Sequence, residues 1–296
     1  MQRAVRTADG RTLAVEESGD PDGRPVVVHM GTPNSRHLYL RTVLDAAEKG
    51  LRLISYDRPG YGDSSPHPGR TVADAASDVR TICTELGFER VVTWGISGGG
   101  PHALACAALL PDLVAAGACL ASLAPYGAED LDYFAGMGEG NVEDFRLFLT
   151  DEVAAKSKTD RDRDEVLATA PEDAIAGMAS LVTAADAAVL HSDLAKYLVT
   201  SAQDGLAPGS EGWWEDNCTL KPWGFDLADI TVPVLLLHGR QDKFVPFGHG
   251  EWLAAHIPGV DARLLDHDGH LTLLERRVPE VHTWLADHLP LDAVGP

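Results

Sequence analysis

The amino-acid sequence predicts an α/β protein whose central sheet is mostly parallel, with helices on both faces and a helical insertion. Short apolar runs alternate with helix-like segments over residues 1–124, which is typical of βαβ units. These runs are continuous, a pattern that indicates strands buried on both faces. The alternation stops near Ala124 and returns with the apolar run at 232–238. A helical segment therefore interrupts the α/β core.

The strands can be placed in chain order from their apolar patterns. Residues 4–7 and 11–16 alternate apolar and polar positions around Asp9-Gly10, a pair that favours a hairpin turn. Buried strands are predicted at 25–29, 52–56 and 90–94, within 113–123, at 232–238 and at 261–266.

Helix-like segments separate these strands, and several end at a residue that stops a helix. Gly50 and Gly87 end two of them and Pro111 follows a third, because glycine accepts the left-handed cap and proline cannot continue a helix. The predicted core helices are 40–49, 72–86, 101–110 and 278–289.

The insertion is rich in Ala, Asp and Glu and contains no strand-like run. Helical spacing predicts helices at 141–156 and 171–190. We therefore expect an α/β core formed by residues 1–124 and 227–296, and a helical cap formed by residues 125–226. The latter range is called the cap segment below.

Composition and charge limit the possible partners. The 296 residues include 24 Lys and Arg against 45 Asp and Glu, a formal net charge of −21. Such an acidic surface repels phosphate backbones and anionic lipids, so neither nucleic acid nor a membrane is expected as a partner. A small-molecule substrate is expected instead, bound by a monomer or homodimer.

The sequence lacks signals for export, membrane insertion or metal binding. No apolar run approaches the roughly 18 residues of a membrane span, and the N-terminus leads directly into polar residues. The four cysteines show no Cys-x-x-Cys spacing, which disfavours a zinc site. We expect a reduced, cytoplasmic protein without metal or cofactor.

The first candidate catalytic residue is Ser97, in the sequence Gly95-Ile96-Ser97-Gly98-Gly99. This sequence follows a predicted strand and precedes a predicted helix, as a nucleophile elbow requires. Such a turn places the serine in a strained conformation and presents its hydroxyl at the N-terminus of a helix. The alternative is a glycine-rich turn that only links strand to helix.

A serine hydroxyl is a weak nucleophile at neutral pH, so a base and an orienting carboxylate are needed. His270 follows the last predicted strand and Asp242 follows the one before it. We predict His270 as the base and Asp242 as its partner. His267 is the alternative base, and the alternative carboxylates are Asp226, Asp229 and Asp268.

The negative oxygen that forms when serine attacks a carbonyl needs two N–H donors fixed in advance. Gly98, directly after Ser97, is one expected donor. The loop after strand 25–29 is expected to provide the other, and Thr32 is the favoured residue because Pro33 restricts the loop.

These residues together resemble the α/β-hydrolase fold family, in the capped group of proline iminopeptidase-like enzymes, esterases and cofactor-free haloperoxidases. The likeness is carried by Gly31-Thr32-Pro33, the run 56–62 (Tyr-Asp-Arg-Pro-Gly-Tyr-Gly), the turn at Ser97, the run 238–242 (His-Gly-Arg-Gln-Asp) and Gly269-His270. It implies the Ser97–His270–Asp242 triad, a Thr32 and Gly98 oxyanion hole, and a cap over the pocket. Met30 departs from the family pattern, which commonly has histidine there.

The resemblance and the triad together predict acyl transfer to water, on a small hydrophobic carboxylic ester. Trp213, Trp214 and Trp223 lie near the end of the cap segment; they either line an apolar pocket, with His102 at its edge, or attach the cap to the core.

Three other functions stay open. Glu215 and Asp216 could recognise the free amine of an aminopeptidase substrate. Hydrolysis of carbon–carbon bonds or lactones would use the same triad. A ligand-binding protein without turnover would use the same pocket.

Overall fold

An eight-stranded sheet forms the centre of the computed structural model, which describes residues 1–173, 178–190 and 192–289. Each strand in the predicted series is present, and the observed bounds differ from the predictions by a few residues at most. The strands are β1 (Gln2–Arg6), β2 (Thr12–Gly19), β3 (Arg24–His29), β4 (Leu51–Tyr56), β5 (Val91–Ile96), β6 (Val114–Leu120), β7 (Val234–Gly239) and β8 (Asp261–Leu265).

The strand order is β1-β2-β4-β3-β5-β6-β7-β8. β1 and β2 form the predicted antiparallel hairpin around Asp9-Gly10, and β2 is also antiparallel to β4. All other neighbours are parallel. The carboxyl ends of β3, β5, β7 and β8 therefore meet at one edge, where binding sites of such sheets lie.

Eleven α-helices surround or extend this sheet in the described ranges. They are α1 (Leu40–Glu48), α2 (Asp74–Leu86), α3 (Gly100–Leu109), α4 (Glu139–Thr150), α5 (Glu152–Ala168), α6 (Ala184–Ala187), α7 (Ser192–Leu206), α8 (Glu211–Glu215), α9 (Phe247–His256), α10 (His270–Thr272) and α11 (Val278–His288).

Alternation along the strands explains the helical layers on both faces. Val26 and Val28 of β3 pack in one cluster with α1 and α11, whereas Val27 packs in another with α2. A third cluster joins α3 and α9 over Leu236 of β7. The predicted α/β class with helices on both faces is confirmed.

The described residues between β6 and β7 contain helices and turns but no strand. Two expectations about this segment were wrong. The predicted helix 141–156 is two helices, because Asp151 adopts a non-helical conformation and its side chain accepts a hydrogen bond from Ala154 N at the start of α5. The cap boundaries at residues 125 and 226 stay predictions.

The predicted helix 171–190 is not continuous either. Pro171–Asp173 forms a single 3₁₀ turn, and α6 covers only Ala184–Ala187. Thr183 has an extended backbone and caps the start of α6, so a helix cannot run through it. Residues 174–177 of this prediction lie outside the described residues.

No helix in the described part of the chain has the length and apolar character needed to cross a membrane. All four cysteines are buried, and none forms a disulfide bond. Burial raises the pKa of the Cys83 and Cys119 thiols to about 12. These two side chains therefore act as small apolar residues.

Candidate active site

Ser97 stands at a sharp turn between β5 and α3. Its φ of 56° lies in the left-handed region, which is strained for a residue with a side chain. The flanking glycines permit this turn. A Cβ atom on Gly95 would lie 2.2 Å from the Gly99 carbonyl oxygen, and one on Gly99 would lie 2.1 Å from the His29 oxygen. The strand–turn–helix context predicted for a nucleophile elbow is present.

His270 and Asp242 meet although they follow different strands. His270 Nδ1 lies 2.7 Å from Asp242 Oδ2. The other carboxylate oxygen accepts main-chain hydrogen bonds from Phe244 and Val245, both at 2.8 Å. The ring of Phe244 also stacks on the imidazole, with 4.5 Å between centroids. These contacts hold the imidazole in one orientation, with Nε2 directed away from the carboxylate.

The negative charge of Asp242 makes His270 a stronger base. Burial by itself lowers the pKa of His270, but the charge and hydrogen bond of Asp242 outweigh it, so the pKa is raised above 6.5. His238 lies in the core near Asp242, where burial lowers its pKa. His238 is therefore neutral and does not compete for the charge of Asp242. When the His270 imidazole accepts a proton, Asp242 stabilises the resulting positive charge.

Ser97 and His270 line the same cavity, which has a volume of about 580 Å³. Asp242 lies behind His270, outside the cavity wall. Within the described part of the chain, Ser97 Oγ makes no hydrogen bond. His270 is thus hydrogen-bonded to Asp242, and the Ser97 hydroxyl lies in the same cavity without a bond to the imidazole. Catalytic hydrogen bonds often tighten only when substrate is bound.

Thr32 and Gly98 are neighbours in the wall of this cavity. A Cβ atom on Gly98 would lie 3.5 Å from the Thr32 nitrogen and 2.4 Å from its Oγ1. Gly31 also approaches Ser97, since an added Cβ would lie 3.2 Å from the serine Cβ. The two expected N–H donors are thus adjacent to each other and to the serine. Met30, in the position where the family commonly has histidine, lines the cavity with them.

A buried ion cluster holds the loop that carries Thr32. Asp216, from the cap segment, accepts hydrogen bonds from the Thr32 hydroxyl and from Tyr61 Oη. Arg58 Nε and Nη2 donate to its two carboxylate oxygens at 3.1 and 2.5 Å, and Arg70 Nη2 donates to Oδ1 at 2.5 Å. We call Arg58, Arg70 and Asp216 the buried ion cluster.

The buried ion cluster was not predicted from the sequence as part of the site. Arg58 also donates to the Met30 carbonyl and, at 3.3 Å, to the Thr32 hydroxyl, so it anchors the loop at two points. Although burial would raise the pKa of the Asp216 carboxyl, the two guanidinium charges hold it far below its usual value. In the sequence, Arg58 lies in the run 56–62 that carries the family likeness, and Asp216 was considered only as a ligand for a substrate amine.

His102 does not line the cavity, which corrects its expected role as a pocket residue. Its Nδ1 donates to the Gly98 carbonyl at 2.9 Å, and Arg70 Nη1 approaches its Nε2 at 3.3 Å. Burial and the nearby guanidinium charges lower its pKa well below 6.5. Neutral His102 therefore supports the turn after Ser97 from behind.

The three tryptophans divide between two roles. Trp213 lines the cavity. Trp214 packs edge-on against Phe148, and Trp223 is buried on the core, where its Nε1 donates to the Thr219 carbonyl at 3.0 Å. Of the two roles expected for the tryptophans, pocket lining therefore applies to Trp213 and not to Trp214 or Trp223, whose rings pack in other clusters.

The alternative bases and acids lie elsewhere. His267 is exposed, and Asp268 pairs with Arg277 at 2.7 Å. Asp226 and Asp229 are exposed, at the end of the cap segment and shortly after it. Among the described residues, no group of three or more His, Cys, Asp or Glu side chains is arranged to hold a metal ion.

The residues expected to recognise an amine are already engaged. Asp216 is neutralised within the buried ion cluster. Glu215 accepts a hydrogen bond from the Gly69 nitrogen at 2.9 Å. Asp216 is therefore not free to bind a substrate amine, and Glu215 is not among the residues that line the cavity.

The chain is similar in sequence to a known family and to several known proteins. The family model described as alpha/beta hydrolase fold matches residues 24–277. A non-heme chloroperoxidase of Streptomyces lividans is 27% identical over 270 residues, 90% of this chain and 91% of that protein. A proline iminopeptidase of Xanthomonas citri is 35% identical over 112 residues, covering 36% of this chain and 35% of that protein.

The same architecture appears in solved structures. That of an esterase from Thermogutta terrifontis matches with a TM-score of 0.69 at 22% identity, and the match covers 97% of this chain and 99% of the esterase. The family match spans most of the sheet and every candidate site residue named above. This chain therefore belongs to the α/β hydrolase fold family.

Proposed function

We propose that the protein is a serine hydrolase that cleaves small carboxylic esters with an apolar acyl or alcohol group. The observation that carries this proposal is the His270–Asp242 hydrogen bond at a cavity that also contains Ser97 in a strained turn. Family membership supports a hydrolase. The similar proteins have names for different reactions, so the substrate must be argued from the cavity.

The first half of the proposed reaction acylates Ser97. Its Oγ forms a bond to the ester carbonyl carbon while His270 Nε2 takes the hydroxyl proton, since Nδ1 is held by Asp242. The N–H groups of Thr32 and Gly98 stabilise the negative oxygen. The bond to the alcohol oxygen then breaks, and His270 returns the proton to that oxygen.

Water completes the reaction. His270 takes a proton as the water oxygen bonds to the acyl carbon, the bond to Ser97 breaks, and the proton returns to Oγ. The acid product leaves with the water oxygen. No oxidant, reductant or metal enters this sequence of steps.

The cavity wall supports the choice of an apolar substrate. Most of the wall is apolar, and the cap segment contributes Phe145, Phe148, Leu181, Leu198 and Trp213 to it. Burial of apolar groups against such a wall is the main source of binding energy in pockets of this kind. Acidic side chains outnumber basic ones among the charged lining residues, which disfavours substrates that carry a free carboxylate.

Labelling with an organophosphonate tests the proposal directly. We expect one phosphonyl group on Ser97, lost in Ser97→Ala and strongly slowed in His270→Ala. His267→Ala is the matched control, because His267 is exposed on the same loop. Well-folded wild-type protein that takes no label would instead favour a ligand-binding protein without turnover.

Acidic groups in the cavity wall favour one second candidate, an aminopeptidase. Glu143, Asp144, Asp162 and Glu165 line the cavity together with Lys158, and the excess negative charge would attract a free ammonium group. A panel of nitrophenyl esters of rising acyl length beside a prolyl arylamide separates the two functions. Faster turnover of the arylamide than of every ester would replace the ester proposal.

A further inference from the structure

A carboxylate of the cap segment contacts the turn that carries His270. Asp186 belongs to α6 and has no exposed surface. Its Oδ2 accepts a hydrogen bond from the His270 main-chain nitrogen at 3.2 Å, and its Oδ1 accepts from Leu271 at 2.8 Å and Thr272 at 3.2 Å. All three N–H groups at the start of α10 thus bind one side chain, which lies 84 to 86 residues away in sequence.

Gly269, directly before His270, also packs closely against the Asp186 carboxylate. A Cβ atom on Gly269 would lie 2.6 Å from both Asp186 carboxylate oxygens, so only glycine fits directly before His270. Thr183 adds a hydrogen bond from its hydroxyl to Oδ2 at 3.3 Å. The buried carboxylate is therefore held by four donors, and it fixes the backbone on which the imidazole stands.

We propose that Asp186 is a positioning residue for the base His270, so that the cap segment forms part of the catalytic machinery as well as the wall of the pocket. The inference rests on the proposed serine hydrolase function. Asp242 orients the ring of His270 through Nδ1, whereas Asp186 holds the main chain beneath it. Loss of the Asp242 contact would free the imidazole ring to rotate, whereas loss of the Asp186 contact would free the main chain at His270 to shift.

Asp186 also adds a second negative charge near the imidazole. Among the described residues, the titratable groups near His270 are Asp242 at the ring, Asp186 at the backbone and neutral His238 in the core. The charges of both carboxylates raise the pKa of His270 against the effect of burial. Asp268, two residues earlier, is paired with Arg277.

Asp186 is not among the residues that line the cavity. Its loss should therefore change the reactivity of the base more than the fit of the substrate. A positioning role thus predicts a lower kcat with little change in KM, whereas a role in pocket shape alone predicts a higher KM.

Asp186→Asn is the test variant. The amide oxygen can keep the bonds from Leu271 and Thr272, but the amide NH₂ then faces the His270 N–H, and the charge is lost. Asp164→Asn is the matched control, since it removes one exposed carboxylate of the cap segment, whose ion-pair partner among the described residues is the neighbouring Arg163. Both variants are compared with wild type on the ester panel, and the His270 pKa is followed by NMR titration of the imidazole.

We expect Asp186→Asn to lower kcat by about 10-fold or more, as small displacements of catalytic groups do, with KM within about twofold of wild type. The His270 pKa should fall, because a negative charge that stabilises the imidazolium is removed. Asp164→Asn should change neither value. A wild-type kcat and His270 pKa in Asp186→Asn, or a higher KM with unchanged kcat, would overturn the proposal.

Two further measurements keep the test decisive. The NMR titration needs no turnover, so wild-type protein that fails to react with esters and organophosphonate refutes the proposed function while the Asp186 contact is still tested. If Asp186→Asn does not fold, Gly269→Ala displaces the carboxylate from the other side without removing its charge. A kcat within about twofold of wild type in that variant would then refute the positioning role.

Discussion

Replacement of Asp216 by asparagine gives the sharpest test of how the buried ion cluster contributes to stability. In the wild type, one carboxylate faces two guanidinium groups, all three nearly inaccessible to solvent. Asp216→Asn preserves the shape but leaves Arg58 and Arg70 without an opposing charge. The net charge of the buried ion cluster therefore rises from +1 to +2.

The expected loss in the free energy of unfolding follows from the burial of these three side chains. Removal of one partner from a buried ion pair costs about 3–5 kcal/mol, because the remaining charge stays desolvated. Here the carboxylate serves two cations and also accepts hydrogen bonds from Tyr61 and Thr32, so we expect the upper part of that range. For a protein of this size that corresponds to a melting temperature lower by about 10 °C.

Urea denaturation followed by circular dichroism measures this loss of stability, with Asp164→Asn as the control because Asp164 is an exposed carboxylate of the cap segment. The double variant Asp216→Asn/Arg70→Gln restores the original excess of one positive charge. It should therefore lose less stability than the sum of the two single variants. A loss below about 1 kcal/mol in Asp216→Asn, or strictly additive effects, would refute the ion-cluster reasoning.

Three further predictions concern the catalytic residues and the turn. Asp242→Asn should lower kcat on nitrophenyl esters by about 10⁴-fold, because the imidazole loses the carboxylate that orients it; a loss below tenfold would contradict the triad. Since the base must be neutral and the pKa of His270 is raised, kcat/KM should fall as pH drops, with a midpoint above 6.5; a midpoint at or below 6.5 would contradict the assignment. Gly99→Ala should cost about 1–3 kcal/mol in urea denaturation, because its Cβ would meet the His29 carbonyl at 2.1 Å. Gly117→Ala is the control, with ordinary contacts from 3.4 Å, and equal stability of the two variants would argue against a tight turn.

Local sequence patterns were sufficient to predict the core elements. The continuous apolar runs predicted β3, β5 and β7, because a strand buried on both faces needs apolar residues at successive positions. The placement of Ser97 between a strand and a helix, and of Asp242 and His270 after neighbouring strands, followed from the same patterns. Parallel strands carry their carboxyl ends to one edge, so residues there become neighbours whatever lies between them in sequence.

The cap segment was less predictable, because its helices are short and broken by side-chain caps. Asp151 and Thr183 interrupt the predicted helices by accepting main-chain hydrogen bonds at the starts of α5 and α6. Helical periodicity reports which face of a helix is apolar, but it does not report where a competing side-chain contact ends that helix.

The amino-acid sequence by itself determined the α/β architecture, the turn at Ser97 and the candidate base with its carboxylate, because each depends on residues close together in the chain or on the ends of parallel strands. Only the tertiary structure showed that Asp186 binds the His270 turn and that Asp216 joins the Thr32 loop to Arg58. Carboxylates are abundant in this chain, and no local pattern marks the few that become buried. Which ones do so depends on how the cap segment packs on the core, where an unpaired charge would be costly and each buried carboxylate must find donors.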